Sequence, residues 1–387
     1  MEYTKKELPK RVFQIGLILT VIGLLLIGVS YGLNFQRTLF NNLIGFVFAA
    51  GVSIGALVLV ALEYLAGATW SVPFRRVSEF LAAALPFVFI LSLPLLFNLK
   101  EVFHWVYINP DTDELIKHKS PYLNELFFII RLVAIFGIFF LFYSLFIKNS
   151  RKQDESGDQK LTRNNVKLSA PFMIIAGIGI SFIAIDWLMS LEPHWYSTIF
   201  GIYYISSTLL AGLAATTFIV VLLKENGYLH PRITSDHYYS FGALLFGITN
   251  FWAYIAFSQF LLIWYANIPE ETSWFMMRWI GGWKYVSVLL IIIKFAIPYL
   301  GLLTYPSKTD PKRLIAVSII ILFAHLFDMY WLVMPSYSKT IVFGFYELAF
   351  PVFIVGIYIL LFYFLSKKQN LVPIKDPKLE RGLEFHL

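Results

Sequence analysis

The stretch IDWLMSLEPHW, residues 185–195, closes a long apolar run and places an acid, Asp186, just inside it. A second stretch, FDMYWLVMP, residues 327–335, does the same with Asp328, and the two acids are 142 positions apart in the chain. The same offset pairs further identical residues: Pro193 with Pro335, Thr198 with Thr340, Ile199 with Ile341 and Tyr204 with Tyr346. Because a duplicated unit leaves such a spacing, we predict two related helix bundles, each with an ionisable cluster near the same membrane face.

The composition is that of a membrane protein. Of the 387 residues 58% are hydrophobic and only 14% are charged, and the mean hydropathy is +0.69. In a soluble protein, a net charge of +7 would suggest binding to nucleic acid. Here the basic residues lie in short loops, where they set membrane orientation, so no nucleic-acid partner is predicted. The chain has no Cys, which excludes disulfides and an iron–sulphur cluster held by this chain.

Ten apolar stretches are long enough to cross a bilayer as helices, which need about 20 residues each. They span residues 12–32, 42–67, 78–99, 124–147, 168–190, 200–223, 238–264, 280–304, 312–334 and 341–365. The sequence therefore predicts an all-α polytopic membrane protein. Pro86, Pro94 and Pro298 fall inside spans 3 and 8 and are expected to kink them. The polar segment 148–167 is expected to be a mobile linker.

The loops predict the orientation. Lys and Arg in alternate loops, starting with the N-terminal segment that holds Lys5, Lys6, Lys10 and Arg11, outnumber those in the other loops by roughly four to one. Since such residues favour the cytoplasmic side, both termini are predicted to be cytoplasmic. No cleavage site of a secretory signal follows the first run. The basic tail, 366–387, has no helical period and is expected to dock on a neighbour or to remain unstructured.

Tryptophan is concentrated near the predicted outer ends of the spans. The residues concerned are Trp105, Trp187, Trp195, Trp264, Trp274, Trp279, Trp283 and Trp331. An aromatic belt at the membrane interface is one explanation. The other is that a partner protein covers this face, because Trp is frequent in buried contacts between proteins.

Ionisable residues inside the predicted spans are functional candidates, because a charge in hydrocarbon costs about 3 kcal/mol or more. Most of them gather toward the outer side. That group comprises Arg131, Asp186, Lys284, Asp328 and Glu347, with His325 one turn before Asp328, whereas Lys294 lies near mid-membrane and Glu63 and Glu79 lie toward the inner side.

Two pairings are expected, because pairing offsets much of the cost of burying a charge. Arg131 on span 4 is expected to approach Asp186 on span 5. Asp328 on span 9 is expected to pair with Lys284 or Lys294 on span 8.

These groups have two interpretations. The first is an architectural ion pair in each bundle, or acids wetted by water at the interface. The second is a chain of titratable groups that conducts protons or binds a polar headgroup such as that of a quinol. His325 beside Asp328 suits the second, because His titrates near neutral pH. His325 is the only His well inside a span, so a haem with two axial His ligands is not predicted.

Two segments carry a family resemblance: DWLMSLEPHWYS, residues 186–197, and FSQFLLIWYANIPEET, residues 257–272. They resemble the ActF-type membrane subunit of bacterial alternative complex III, within the NrfD/PsrC-like group of quinone-interacting membrane proteins. The resemblance covers most of the chain. It implies two parallel four-helix bundles, spans 2–5 (34–190) and spans 6–9 (191–334). Span 1 (1–33), span 10 (335–365) and the cytoplasmic tail (366–387) complete the chain.

The resemblance also implies a function. Such complexes oxidise a quinol at the outer side of the bacterial cytoplasmic membrane and pass its electrons to cytochrome c or an oxidase. The implied partners are a homologous quinone-binding subunit of the ActC type, an iron–sulphur subunit, c-type haem subunits, a terminal oxidase and lipids. The haem c and iron–sulphur clusters belong to those partners. This chain binds no metal or cofactor by itself, and a quinone or quinol is its candidate ligand.

We therefore expect a subunit that supports quinol oxidation without holding a redox cofactor. Its proton-pathway or headgroup candidates are Asp328, His325, Lys294, Glu347, Lys284, Asp186 and Arg131, with Glu63 and Glu79 as inner relays. A secondary transporter is one alternative, because internal repeats, kinked helices and mid-membrane charges also suit that class. A purely structural membrane anchor is the other.

Overall fold

A computed structural model describes residues 6–387, apart from the side chain of Pro110. Lys5, one of the predicted inner charges, lies outside the described residues. Within them the chain is helical and has no strand. Ten helices are long and apolar enough to cross a membrane, which confirms the predicted all-α polytopic class. In order, spans 1 to 10 are Lys10–Leu33, Phe35–Leu65, Val72–Leu96, Glu125–Ser156, Gln159–Leu191, Phe200–Glu225, Ser235–Ala266, Trp283–Gly301, Pro311–Ser336 and Phe345–Lys368.

The predicted linker 148–167 is wrong. Span 4 continues to Ser156 and span 5 begins at Gln159, so only two residues separate them. Gly157 ends span 4 with a left-handed φ of 68°, which glycine adopts without steric cost. Asp158 then caps span 5 by accepting a hydrogen bond from the backbone N–H of Lys160 at 2.8 Å. The polar composition of the segment therefore belongs to two helix ends, not to a loop.

Spans 3, 5 and 8 are irregular. Span 3 consists of a short turn, Val72–Phe74, and two helices, Arg75–Ala82 and Leu85–Leu96, and Pro86 lies in the first turn of the second helix. Span 8 widens into a π-helical turn, Ile292–Ala296, directly before Pro298, which lacks a backbone N–H. Span 5 has a π-helical turn at Ala184–Leu188. π-helical turns are frequent at functional sites.

The spans pack in two groups. Span 2 contacts spans 3 and 5, and span 4 contacts spans 3 and 5. Likewise span 6 contacts spans 7 and 9, and span 8 contacts spans 7 and 9. Spans 2 and 6 join the groups at Gly55 and Gly212, where a Cβ on either residue would collide with the other helix. We call spans 2–5 the first bundle and spans 6–9 the second bundle. Their relation as duplicated copies stays a prediction.

The remaining helices flank this pair of bundles. Spans 1 and 10 pack against each other. The tail folds back onto its own chain, with Leu371 and Val372 buried. Its Asp376 accepts a hydrogen bond from Arg75 at 2.6 Å, and a short helix, Leu379–Leu383, follows. Below, the inner side is the side that carries this tail, and the outer side is the opposite one.

Candidate functional site

Asp328 lies at the centre of a buried polar cluster in the second bundle. Its Oδ1 accepts a hydrogen bond from the Tyr203 hydroxyl at 2.5 Å. Its Oδ2 accepts one from Ser207 Oγ at 3.1 Å and one from Lys294 Nζ, which forms an ion pair with it. Lys294 also donates to Ser207 Oγ at 2.5 Å. Of the two predicted partners of Asp328, Lys294 is therefore the one found.

His325 extends this cluster toward the interface between the bundles. Its Nδ1 lies 3.1 Å from Ser207 Oγ, and its Nε2 is buried without a hydrogen-bond partner among the described residues. Gly51 on span 2 makes room for the ring, because a Cβ at that position would overlap with Nε2. The predicted grouping of His325 with Asp328 and Lys294 is thus found, and we call these residues with Tyr203 and Ser207 the second cluster.

Local helix geometry positions the second cluster. Lys294 lies in the π-helical turn before Pro298. Such a turn shifts the helix face by one residue. Tyr203 and Ser207 are four residues apart on span 6, so they share one face. Asp328 and His325, three apart on span 9, share another. Four of these five side chains come from spans 6 and 9, which pack against each other.

The first bundle also contains a buried ion pair, between Arg131 and Asp186, as predicted. Arg131 donates from Nε to Asp186 Oδ2 at 2.8 Å and from Nη2 to Asp186 Oδ1 at 2.9 Å. The Tyr122 hydroxyl donates to the same Oδ1 at 2.8 Å, and Arg131 Nη1 donates to the Tyr122 carbonyl at 2.8 Å. Burial, together with the Asp186 carboxylate, raises the pKa of the Tyr122 phenol above its ordinary value. We call these three residues the first cluster.

A cavity of about 900 Å³ occupies the outer half of the second bundle. Aromatic side chains form most of its walls, and Tyr203 of the second cluster lies on its lining. Its lipid-facing side is made of exposed residues such as Phe257, Trp264 and Ile291. The main wall residues are Phe200, Trp252, Phe260, Trp274, Phe275, Phe295 and Trp331. An apolar molecule with a flat ring could therefore enter from the membrane and reach Tyr203.

The cavity also holds polar groups without protein partners. Gln259 Nε2 and Trp252 Nε1 are buried donors that make no hydrogen bond among the described residues, and both residues line the cavity. Because a buried donor without a partner costs about 1–3 kcal/mol, such atoms mark places where a ligand or water would bind. Lys294 Nζ lies 4.6 Å from the centre of the Trp252 ring, which connects this wall to the second cluster.

Arg278 lines the cavity. It follows the short helix Pro269–Met277 and precedes span 8. It is only 2% exposed, and its guanidinium lies 3.4 Å from the centre of the Trp274 ring.

A smaller cavity of about 580 Å³ lies between spans 4 and 5 in the first bundle. Arg131 and Tyr122 line it, but both are committed to Asp186 and to each other. Apart from these two, its walls are apolar: Phe127, Ala134, Ile135, Ile138, Phe139, Ile175, Ile178, Gly179 and Phe182. No side-chain donor without a partner lies on it within the described part of the chain.

The remaining predicted site residues lie elsewhere. Glu347 accepts two hydrogen bonds from Arg37, at 3.0 and 2.7 Å, and one from Asn41 at 3.1 Å. It thereby joins span 10 to span 2, apart from both clusters. Lys284 is exposed and its Nζ lies 5.1 Å from the centre of the Tyr285 ring. The predicted alternative pairing of Lys284 with Asp328 is therefore wrong.

Glu63 and Glu79 lie on the inner side, as predicted. Glu79 is flanked by Arg75 and Arg76, each at 3.5 Å, and accepts a hydrogen bond from Ser150 at 2.8 Å. Oε2 of Glu63 is buried without a partner among the described residues. Within the described part of the chain, no hydrogen bond or ion pair links these acids to Asp328.

Most of the outer Trp residues are part of the protein core. Trp105, Trp187, Trp195, Trp274, Trp283 and Trp331 are buried in this chain, and only Trp264 and Trp279 are exposed. Trp195 and Trp274 stack with ring centres 4.5 Å apart. For the six buried residues, both the aromatic belt and the cover by a partner are therefore wrong explanations. They form an aromatic layer above the two clusters.

Sequence reasoning missed six residues of the two clusters and the cavity: Tyr122, Tyr203, Ser207, Trp252, Gln259 and Arg278. The spacing of Tyr203 and Ser207 on one helix face was a usable signal. Gln259 is an amide inside an apolar span, and a polar side chain there needs a partner. Arg278 lies between two spans, where a basic residue is usually an exposed loop charge, but its position between Trp274 and Trp279 is a sign of burial.

Neither protein families nor curated proteins match the chain. The resemblance to ActF-type subunits therefore stays a prediction.

Proposed function

We propose that this chain is an integral membrane subunit of a respiratory quinol oxidoreductase in the bacterial cytoplasmic membrane. The ten spans, the resemblance of residues 186–197 and 257–272, and the outer position of both clusters support this proposal. With both termini in the cytoplasm, as the loop charges predict, the cavity opens in the outer half of the membrane, where such complexes take up quinol.

One observation carries the proposal: an aromatic cavity that is accessible from the lipid reaches a buried acid through a phenol. A quinol has a flat ring with two hydroxyl groups and a long apolar tail. The ring fits between the aromatic walls, and the tail would leave past Phe257 and Ile291, which face the membrane. Such a site is mostly apolar with a few polar groups that fix the ligand, as small-molecule sites usually are.

The second cluster supplies the proton acceptor. When a quinol hydroxyl gives its proton to the Tyr203 oxygen, Tyr203 passes its own proton to Asp328 Oδ1 along the 2.5 Å hydrogen bond. Tyr203 is unchanged by this exchange and Asp328 becomes neutral. Ser207 connects Asp328 to His325, whose imidazole is the next titratable group of the cluster. Loss of both protons and two electrons converts the quinol to a quinone.

The electrons leave through partner subunits. This chain offers no Cys, so the proposal places the iron–sulphur clusters and haem c in partners, as in the complexes it resembles. Those partners are an ActC-type membrane subunit, an iron–sulphur subunit and c-type haem subunits, with a terminal oxidase as acceptor. The role of this chain is to bind the quinol, orient it and remove its protons.

The proposal extends to the other predicted groups as a proton pathway. In it, Glu63 and Glu79 serve as inner relays and Glu347 as an outer one. The equal neighbour order of spans 2–5 and 6–9 supports the further proposal that the bundles derive from one duplicated unit. The first cluster favours a different role, because no side-chain donor without a partner lines its cavity within the described part of the chain. For that cluster the architectural interpretation is the better supported one.

The test is turnover of the assembled complex with Asp328→Asn. Asn keeps the size of the side chain but is not a base, so quinol turnover is expected to fall by about 100-fold or more. The amount of assembled complex serves as the control. Normal turnover, with an unchanged ratio of protons to electrons, would refute the role of Asp328.

Purification separates the proposal from its main rival. A secondary transporter works alone, so substrate uptake by the isolated chain in liposomes would favour that class. Redox subunits that co-purify with this chain would exclude it.

A further inference from the structure

Arg278 is a buried cation without an acidic partner. Its Nε, Nη1 and Nη2 donate to the carbonyl oxygens of Trp331, Trp274 and Leu332 at 3.3, 2.9 and 2.8 Å. Among the described residues no carboxylate lies within 4.0 Å of it, whereas Arg37, Arg75, Arg76 and Arg131 each have at least one.

The surroundings do not cancel this charge. Carbonyl oxygens and the faces of Trp274 and Trp331, with ring centres 3.4 and 5.1 Å away, offset part of the lost hydration. Glu192 is the acid that acts on Arg278 from a distance, and its Oε1 accepts a hydrogen bond from Ser336 at 2.7 Å. Burial lowers the pKa of Arg278 to about 9, so the guanidinium still carries its proton at neutral pH.

The positive charge lies on the lining of the same cavity as two donors without partners. Arg278, Gln259 and Trp252 all line it, and Gln259 and Trp252 are each 3% exposed. Within 3.5 Å, their side-chain N–H groups have no hydrogen-bond partner among the described residues, although Tyr203 is a polar neighbour of Trp252. A neutral ligand would use the two N–H groups and leave the charge unbalanced. A ligand with a negative oxygen would also balance the charge of Arg278, since N–H groups and a guanidinium are the usual partners of an oxyanion.

We infer that the cavity of the second bundle binds an aromatic ligand whose ring oxygen is anionic, with Arg278 as its counter-charge and Gln259 and Trp252 as hydrogen-bond donors. This inference rests on the proposed function and specifies its ligand: the bound quinol is held as its mono-anion after one hydroxyl has passed its proton to Tyr203 and Asp328. Arg278 then stabilises the charge that remains on the ring, which favours proton removal before the electrons leave.

Two matched probes test the inference without turnover. A 2-hydroxy-3-alkyl-1,4-naphthoquinone is an anion at neutral pH, and its 2-methoxy counterpart is neutral with nearly the same shape. Binding to the purified full-length protein, with any subunits that accompany it, can be followed by quenching of Trp fluorescence. We expect the anion to bind about tenfold more tightly or better, which corresponds to about 1.4 kcal/mol.

Variants assign the preference to Arg278. In Arg278→Gln the anion is expected to lose its advantage, while the methoxy probe keeps its affinity within about twofold. Lys284→Gln is the matched control, because it removes an exposed positive charge from the same end of the second bundle without touching the cavity. Arg278→Lys keeps the charge and is expected to keep part of the preference.

The outcomes separate the inference from the proposed function. Equal binding of both probes by the unaltered protein would overturn the inference and leave a neutral quinol site intact. Failure of both probes to bind would overturn the cavity as a quinone site altogether. An anion preference that survives in Arg278→Gln but disappears in Lys284→Gln would show a general surface attraction and refute the role of Arg278. Comparing the two probes on the unaltered protein tests the preference for an anion even if a variant fails to fold.

Discussion

The two bundles bury the same three kinds of group, an acid, a cation and a tyrosine, and use them differently. In the first bundle Arg131 holds both oxygens of Asp186, and Tyr122 adds a third hydrogen bond. In the second, Asp328 is shared among a lysine, a serine and a tyrosine that lines a large cavity. Each arrangement borders a cavity, but among the described residues only the cavity of the second bundle also has buried side-chain donors without a partner. Ion pairs of similar composition can therefore be architectural in one place and functional in another.

The chemistry of the cations explains part of this difference. A guanidinium is planar and matches both oxygens of a carboxylate, which makes the Arg131–Asp186 pair rigid. An ammonium group is a compact charge that accepts many geometries, so Lys294 leaves one oxygen of Asp328 to Tyr203. The π-helical turns also hold different members of the ion pairs. The turn of the first bundle contains the acid, Asp186, and that of the second bundle contains the cation, Lys294.

The largest expected effect comes from replacing each pair by apolar residues of similar volume. Arg131→Met with Asp186→Leu is expected to leave quinol turnover within about threefold, because a buried ion pair is often replaceable by well-packed apolar groups. Lys294→Met with Asp328→Leu is expected to lower it by about 100-fold or more, because the proton acceptor is gone. Turnover per assembled complex is the measurement. Equal losses in both double variants would remove the distinction between the clusters.

A smaller effect is expected from filling the two cavities. Ala256 lines the cavity of the second bundle and Ala134 lines that of the first. Ala256→Phe occupies space that the quinol needs and is expected to raise the KM for quinol about tenfold, close to the 1–3 kcal/mol of an overpacked site. Ala134→Phe is its matched control and should change the KM by less than about twofold. The reverse order of effects would place the ligand in the first bundle.

The smallest effect concerns the segment between spans 3 and 4, which contains the short helix Glu114–Lys119. Asp113 caps the helix Glu114–Lys119 and contacts His194 Nε2 at 2.6 Å. The hydrogen bond with His194 and those from the backbone N–H groups hold the pKa of Asp113 below its ordinary value. A lowered pKa stabilises the folded state above the ordinary value near 4, and that stabilisation disappears as the pH falls through the lowered value. Hydrogen exchange in 114–119, corrected for intrinsic rates, should therefore rise below about pH 4.

Asp113→Asn is the control for that measurement, because its side chain does not titrate. In this variant the rate of hydrogen exchange in 114–119, corrected for intrinsic rates, should not change as the pH falls below about 4. Probe binding in the second bundle should be the same as in the unaltered protein. A variant that shows the same pH response as the unaltered protein would assign the effect to another group.

The sequence predicts the ten spans because hydropathy over about 20 residues is a local property. It also predicts the Arg131–Asp186 pair and the grouping of His325 with Asp328, since buried charges need partners and residues three apart share a helix face. It leaves Lys284 and Lys294 undecided as partners of Asp328. That choice depends on the π-helical turn at Ile292–Ala296, which changes which side of span 8 faces span 9.

Other features depend on packing between distant segments. The linker 148–167 was misjudged because a polar helix that leaves the membrane has the composition of a loop. The cavity was not predictable, because it arises where the outer halves of spans 7 and 8 diverge. Arg278 lies in a loop between two spans, and its burial depends on Trp274 and Trp331, which pack around it in space.

The most direct test of the account is photolabelling of the purified protein with an azido-quinone, followed by mapping of the labelled peptides. The account predicts label in the segments that line the second cavity, within residues 250–279 and 287–295, and competition by excess unlabelled quinone. Label confined to residues 122–182 of the first bundle, or to partner subunits alone, would contradict the claim that quinol meets Tyr203 and Asp328 in the second bundle.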